Sequence, residues 1–262
     1  MRPALLVAML ALAIPSAASA RVDPGAFGAL AFHQHPGAQL PVGAELTDES
    51  GRQVSLASAM GNRPSLLVLE YLRCQNLCSL VLRGAVASLK GAGLTPGRQV
   101  NLIAISIDPR DTPGDIAAAR AQYARQFADP GAAASGMRFL KGSPQQVAQI
   151  ASAVGFPYRF DRASGQFAHP AGFVVTTPSG RISRYMLGLN PAPEALRAAV
   201  AEAGEGTVEP AAHPLLLLCF GYDPDEGSAA ALAFRLVRYV SFAAILGLGL
   251  LIAFLSLRRR AA

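Results

Sequence analysis

Apolar runs of strand length alternate with helical periodicities, and the series closes with an antiparallel hairpin and one more helix. The first strong run, residues 66–72, passes directly into a helix through a pair of cysteines, Cys74 and Cys78. Together these observations predict an α/β sandwich of the thioredoxin type, a central mixed sheet flanked by helices, with a transmembrane helix appended at the C-terminal end. The 262 residues leave room for one or two domains. Both ends read as membrane segments, so one globular domain over residues 41–204 is expected.

Residues 1–20 have the pattern of a secretory signal. Arg2 precedes an apolar core over residues 5–14, and Ala18-Ser19-Ala20 supplies small residues for cleavage. Residues 21–40, rich in Gly, Ala and Pro, read as a linker or arm. They carry His33 and His35, a His-x-His pair that either binds a transition metal or belongs to a solvated loop.

The globular domain follows. Residues 45–56 form a hairpin around Asp48-Glu49-Ser50-Gly51, with Val54 and Leu56 alternating after the turn. The central strand and its helix come next, the helix carried by Leu77, Leu80, Val81, Val86 and Leu89 and closed by residues 91–97. Residues 100–107 are a second buried strand, ending at Asp108-Pro109. Thr112-Pro113-Gly114-Asp115 starts a helix that runs to about Phe127, with Thr as cap, Pro at the first position and an acid at the third. A short strand at 137–140 and a helix from Ser143-Pro144 to about Val154 complete this half. Two hairpins follow, one turning at residues 161–165 and one at Pro178-Ser179-Gly180, and a helix over 191–203 ends the domain.

Residues 205–235 form a juxtamembrane extension that holds the odd cysteine, Cys219, near Phe220 and Tyr222-Asp223-Pro224. Residues 236–257 read as a transmembrane helix. The stretch 239–257 is uncharged and, at about 1.5 Å per residue, roughly matches the hydrocarbon thickness. Arg258, Arg259 and Arg260 in the tail, 258–262, place that end in the cytoplasm. The signal and the tail agree: the domain is expected on the exported, periplasmic side of the cytoplasmic membrane.

The net charge of +6 has the same origin. Six of the 23 basic residues, Arg2, Arg235, Arg238 and Arg258, Arg259 and Arg260, flank the two apolar segments; the other 17 match the 17 acidic residues. The basicity is a topology signal and argues against nucleic acid as a partner.

Cys74 and Cys78 stand four apart, a spacing that puts both side chains on one face of a helix. At a helix N-terminus the orphan N–H groups and the helix dipole favour thiolate over thiol, and a thiolate is both nucleophile and soft ligand. The spacing alone leaves a redox pair, a metal site, a structural disulfide and a structural zinc site open. His169 precedes an apolar strand that begins near Ala171. In a thioredoxin-type sheet the loop before that strand faces the dithiol turn, and two sulfurs with one nitrogen suit copper. Pro170 stands where such folds often have a cis-proline, and a cis His169–Pro170 bond is expected.

The strand leading to Cys74-x-x-x-Cys78, the run Ser106-Ile107-Asp108-Pro109-Arg110-Asp111-Thr112-Pro113, and the His169 strand with its Pro-Ser-Gly hairpin resemble the SCO/SenC family over residues 40–203. That resemblance implies copper, Cu(I) or Cu(II), held by Cys74, Cys78 and His169. It also implies a metallochaperone that helps assemble the copper centre of cytochrome c oxidase, with the oxidase's copper-bearing subunit or another copper chaperone as partner. Asp108 lies where the family has an acidic residue near the site, a position that a strand-end turn residue would also fill. Gln75 and Ser79 stand where the family often has Pro, and Gly221 where the anchored branch has His. Two other readings stand beside this one. In a thiol-disulfide reductase, Cys74 attacks and Cys78 resolves with no obligatory metal. An electron-carrying or peroxide-sensing module uses the same fold.

Overall fold

The computed structural model describes residues 30–72, 79–162, 165–211 and 239–240. Strands β1 (Glu45–Thr47) and β2 (Gln53–Ser55) pair antiparallel across the expected turn. Asp48 builds that turn: its Oδ1 accepts the N–H of Ser50 at 2.8 Å and of Arg52 at 3.0 Å. Leu56, expected to continue the second strand, instead opens a short helix, α1 (Leu56–Met60). Ser55 caps it by accepting the N–H of Ser58, a bond that ends the ladder where the alternation alone would extend it.

The apolar runs become β3 (Ser65–Glu70) and β4 (Asn101–Ser106), parallel neighbours at the centre of the sheet and buried at every position. Continuous burial on both faces is why these runs do not alternate with polar residues. Between them lies α2 (Ser79–Gly91). Thr112 and Asp115 form the expected capping box at the start of α3 (Pro113–Ala124). A helix that the sequence pattern does not announce follows, α4 (Pro130–Gly136), capped by Asp129. Then come β5 (Met137–Lys141), α5 (Pro144–Val154) with a second capping box from Ser143 and Gln146, and the small hairpin β6 (Arg159–Asp161) and β7 (Gln166–Ala168). The pair β8 (Gly172–Thr176) and β9 (Ile182–Leu187) and helix α6 (Pro193–Gly204) complete the described elements.

The main sheet has the order β2-β1-β5-β4-β3-β8-β9. Strands β3, β4 and β5 run parallel, while β8 is antiparallel to β3 and β9 to β8. This is the mixed thioredoxin-like sheet that the element order implies. Because side chains alternate across a strand, Leu66 and Val68 enter one core with α2, α3 and α6. Leu67 and Leu69 enter the other, with α1 and α5.

The segment before β1 is part of that second core from Phe32 onward. Phe32 and Leu40 are fully buried. Gly37 donates its N–H to Ile182 O, Ile182 returns its own to Ala38 O, and Leu40 N–H goes to Gly180 O. The segment therefore covers the outer edge of β9, satisfying backbone groups that an edge strand leaves open.

Among the described residues no helix is long and apolar enough to cross a membrane. The expected span falls outside them except for Tyr239 and Val240, which are helical and exposed. The expected signal, Cys219 and the cytoplasmic tail also lie outside the described residues.

Candidate functional site

Three pieces of chain meet at the C-terminal end of β3. The first is β3 itself, followed by buried Tyr71 and by Leu72. Cys74 and Cys78 belong to the next stretch, 73–78, which joins Leu72 to the first residue of α2; both cysteines lie outside the described residues.

The second piece is the loop from β4 to α3. Ile107 donates its N–H to Glu70 O at 2.8 Å, continuing the β3–β4 pairing past the strands. Asp111, fully buried, accepts the N–H of Leu72 at 2.8 Å and the hydroxyl of Ser106 at 2.6 Å on the same oxygen. That carboxylate thus pins the chain just ahead of the dithiol segment to the end of β4. Sequence reasoning singled out Asp108 here. Asp108 is buried too, but its carboxylate is engaged within the loop. Its two oxygens take Arg110 in a fork, with Nε at 2.8 Å and a terminal nitrogen at 2.7 Å. The Asp108 carboxylate beside it raises the Arg110 guanidinium above its ordinary range. Arg110 in turn lies over the rings of Phe160 and Phe167, 5.0 and 6.0 Å from their centroids, and so ties this loop to the β6–β7 hairpin.

The third piece is the connection from β7 to β8, which carries His169. The β3–β8 ladder ends at Leu67 opposite Val174. Continued past the ladder, that antiparallel register runs His169 toward Leu72. The rings agree: His169 stacks on Phe156 at 5.4 Å between centroids and meets the edge of Tyr71 at 6.1 Å. So the fold brings His169 beside the residue three positions ahead of Cys74, as the thioredoxin-type reading requires.

The expected cis bond is not there; the His169–Pro170 peptide is trans. The chain instead redirects at Gly172, whose φ is +146°. A Cβ at that position would stand 2.6 Å from Met186 O, so only glycine fits the approach to β9.

The imidazole has a defined tautomer. His169 Nδ1 lies 2.9 Å from Pro170 O, and a carbonyl oxygen only accepts, so Nδ1 carries the proton. Nε2 then holds a lone pair, the arrangement a metal-binding histidine needs. Burial lowers the His169 pKa below 6.5, partly offset by the bond to Pro170, so the neutral form prevails at neutral pH.

Two carboxylates that sequence reasoning passed over also belong here. Asp111 gave no local signal, because its partner Leu72 is 39 residues away. Glu70 did give one, as the single charge in the apolar run at 66–72, and it proves almost wholly buried at the end of β3. Burial, then the Glu70 charge, pushes the phenol of Tyr123 on α3 up to about 12. Among the described residues no three His, Cys, Asp or Glu side chains converge on one point.

The fold defines a thioredoxin-like protein in which His169 stands at the end of the central strand, beside the chain that leads into the segment carrying Cys74 and Cys78. The family model for SCO1/SenC matches residues 38–204, and the chain belongs to that family. Solved structures support the fold. A putative electron transfer protein from Aquifex aeolicus VF5 is 24% identical, with a TM-score of 0.57 over 68% of this chain and 99% of its own. A SCO1/SenC family lipoprotein from Bacillus anthracis str. Ames is 16% identical, with a TM-score of 0.52 over 64% and 96%. BsSco, described as a member of the Sco family of cytochrome c oxidase assembly proteins and as holding a disulfide switch, is 19% identical, with a TM-score of 0.50 over 65% and 96%. No curated protein sequence matches the chain.

Proposed function

We propose that the protein is a copper-binding chaperone for the assembly of cytochrome c oxidase, with Cys74, Cys78 and His169 as ligands. The observation that carries this reading is the state of His169: neutral, fixed through Nδ1, and beside Tyr71 just ahead of the dithiol segment. A reductase needs two thiols and no imidazole; a site of two sulfurs and one nitrogen needs all three. Family membership supports the same role, as does the assignment of BsSco to oxidase assembly proteins.

The proposal includes topology. The domain is held on the exported side of the cytoplasmic membrane by the helix at 236–257, with 258–262 in the cytoplasm. A client in the same membrane, the oxidase's copper-bearing subunit, would then lie within reach, and a second copper chaperone would supply the metal. No nucleic acid takes part.

The test is metal analysis of the full chain in detergent, with its dithiol reduced and then oxidised. Copper requires thiolates. The reduced protein is expected to bind copper tightly through Cys74, Cys78 and His169, and the disulfide form to lose that binding. Equal retention in both forms would rule out the two sulfurs as ligands. Thiol-disulfide exchange with no copper bound by the reduced dithiol would establish the reductase instead.

A further inference from the structure

We infer that His33 and His35 form a second metal site, a pair of imidazoles that chelates a divalent first-row transition ion, Cu(II) in preference to Zn(II). Two backbone bonds define the geometry. His33 donates its N–H to Gly155 O at 2.8 Å, and His35 donates its N–H to the Tyr185 hydroxyl at 2.8 Å. Phe32 is buried, His33 exposed, Gln34 half-buried and His35 exposed; that alternation is the pattern of extended backbone, in which side chains two apart share a face. Both histidines are exposed, so the shared face is the solvent face.

The bonds are held at their far ends as well. Tyr185 passes its own hydroxyl proton to Val154 O at 2.8 Å, which fixes the acceptor that His35 uses. Gly155 has φ +64°, and a Cβ there would stand 1.7 Å from His33 O, so the arm lies directly on a glycine that nothing larger can replace. Phe32, immediately before the pair, is buried against Phe156 at 5.4 Å and Tyr185 at 5.6 Å. A pair of ligands on a fixed extended backbone loses less freedom on chelation than the same pair on a free loop. Borderline nitrogen donors favour Cu(II) over the other divalent ions of the series.

The position matters as much as the ligands. Phe156 touches Phe32 on one side and stacks on His169 on the other, each at 5.4 Å. The pair therefore stands on the flank of the site already described, without sharing a ligand with it. It is independent of the reading of Cys74 and Cys78.

The experiment uses the full chain in detergent with Cys74, Cys78 and Cys219 each changed to Ser. It is titrated with Cu(II) and followed by electron paramagnetic resonance. The expected result is one Cu(II) per chain with superhyperfine coupling to two nitrogens. That coupling should be lost in His33→Ala and in His35→Ala and kept in His169→Ala. Wild-type chain with alkylated thiols provides the same measurement without cysteine substitutions. Absence of the signal in both preparations, or its survival in either His33→Ala or His35→Ala, would overturn the site and mark any bound copper as adventitious.

Discussion

The His169 imidazole is half-buried between Phe156 and Tyr71, and that partial desolvation favours its neutral form. The stability consequence has a definite sign. The unfolded chain takes up a proton near pH 6.5, while the folded protein does so only at lower pH. The stabilisation from the neutral ring is therefore complete above pH 6.5 and is lost as pH falls through the folded-state value. Urea midpoints measured from pH 7.5 down to 5 should fall more steeply for wild type than for His169→Phe, which keeps the aromatic contact and has nothing to protonate. Parallel slopes would show that the ring is solvated. Asp111 makes a second prediction at this scale. Removing its carboxylate leaves the half-buried Leu72 N–H and the buried Ser106 hydroxyl without that acceptor. Asp111→Ala should cost about 3 kcal/mol by chemical denaturation, and an unchanged midpoint would deny it the pinning role.

At the scale of the elements, local chemistry was legible wherever a cap and an apolar run coincided. Thr112 shows why. Its hydroxyl accepts the N–H of Asp115 at 3.2 Å, and Asp115 Oδ2 takes the N–H of Thr112 at 2.7 Å, both from residues readable in sequence. Thr112→Ala should cost about 1 kcal/mol in thermal or chemical unfolding, and Ser143→Ala a similar amount at α5. The short helix α4 carries the same signature, Asp129 as cap and Pro130 at its first position. Its body, Gly-Ala-Ala-Ala-Ser-Gly, has no apolar period, so the pattern alone does not reveal it. The cis bond anticipated at Pro170 failed for a related reason. The bend into β8 is made at Gly172, where crowding by Met186 and Phe32 demands glycine, and that crowding arises from residues far away in sequence. Asp111 was illegible on the same ground, whereas Glu70 was visible as a charge inside a strand.

At the scale of the molecule, the buried parallel strands made the fold legible. β3 and β4 read as continuous apolar runs between polar end residues because helices cover both faces of the sheet. His169 was found from topology: a strand antiparallel to β3 must begin beside the end of β3, so the residue before it faces whatever follows that end. The membrane reading rests on sequence alone and has its own check. Protease added to intact spheroplasts should digest the domain and spare residues 258–262; a shielded domain would reverse the orientation.

The central claim is the ligand set, and one measurement addresses it most directly. Cu(II) is added to the reduced full chain, wild type and His169→Ala, and the thiolate-to-Cu(II) charge-transfer absorption is recorded. Copper held only by imidazoles, as at His33 and His35, does not contribute to that band. Cu(I) tolerates two sulfurs, whereas Cu(II) prefers added nitrogen and a higher coordination number. The account predicts that His169→Ala loses the band while still binding Cu(I), supplied as Cu(I) in a parallel anaerobic titration, on Cys74 and Cys78. A band of wild-type intensity in His169→Ala would show that His169 is not a ligand and would move the thiol-disulfide reductase ahead.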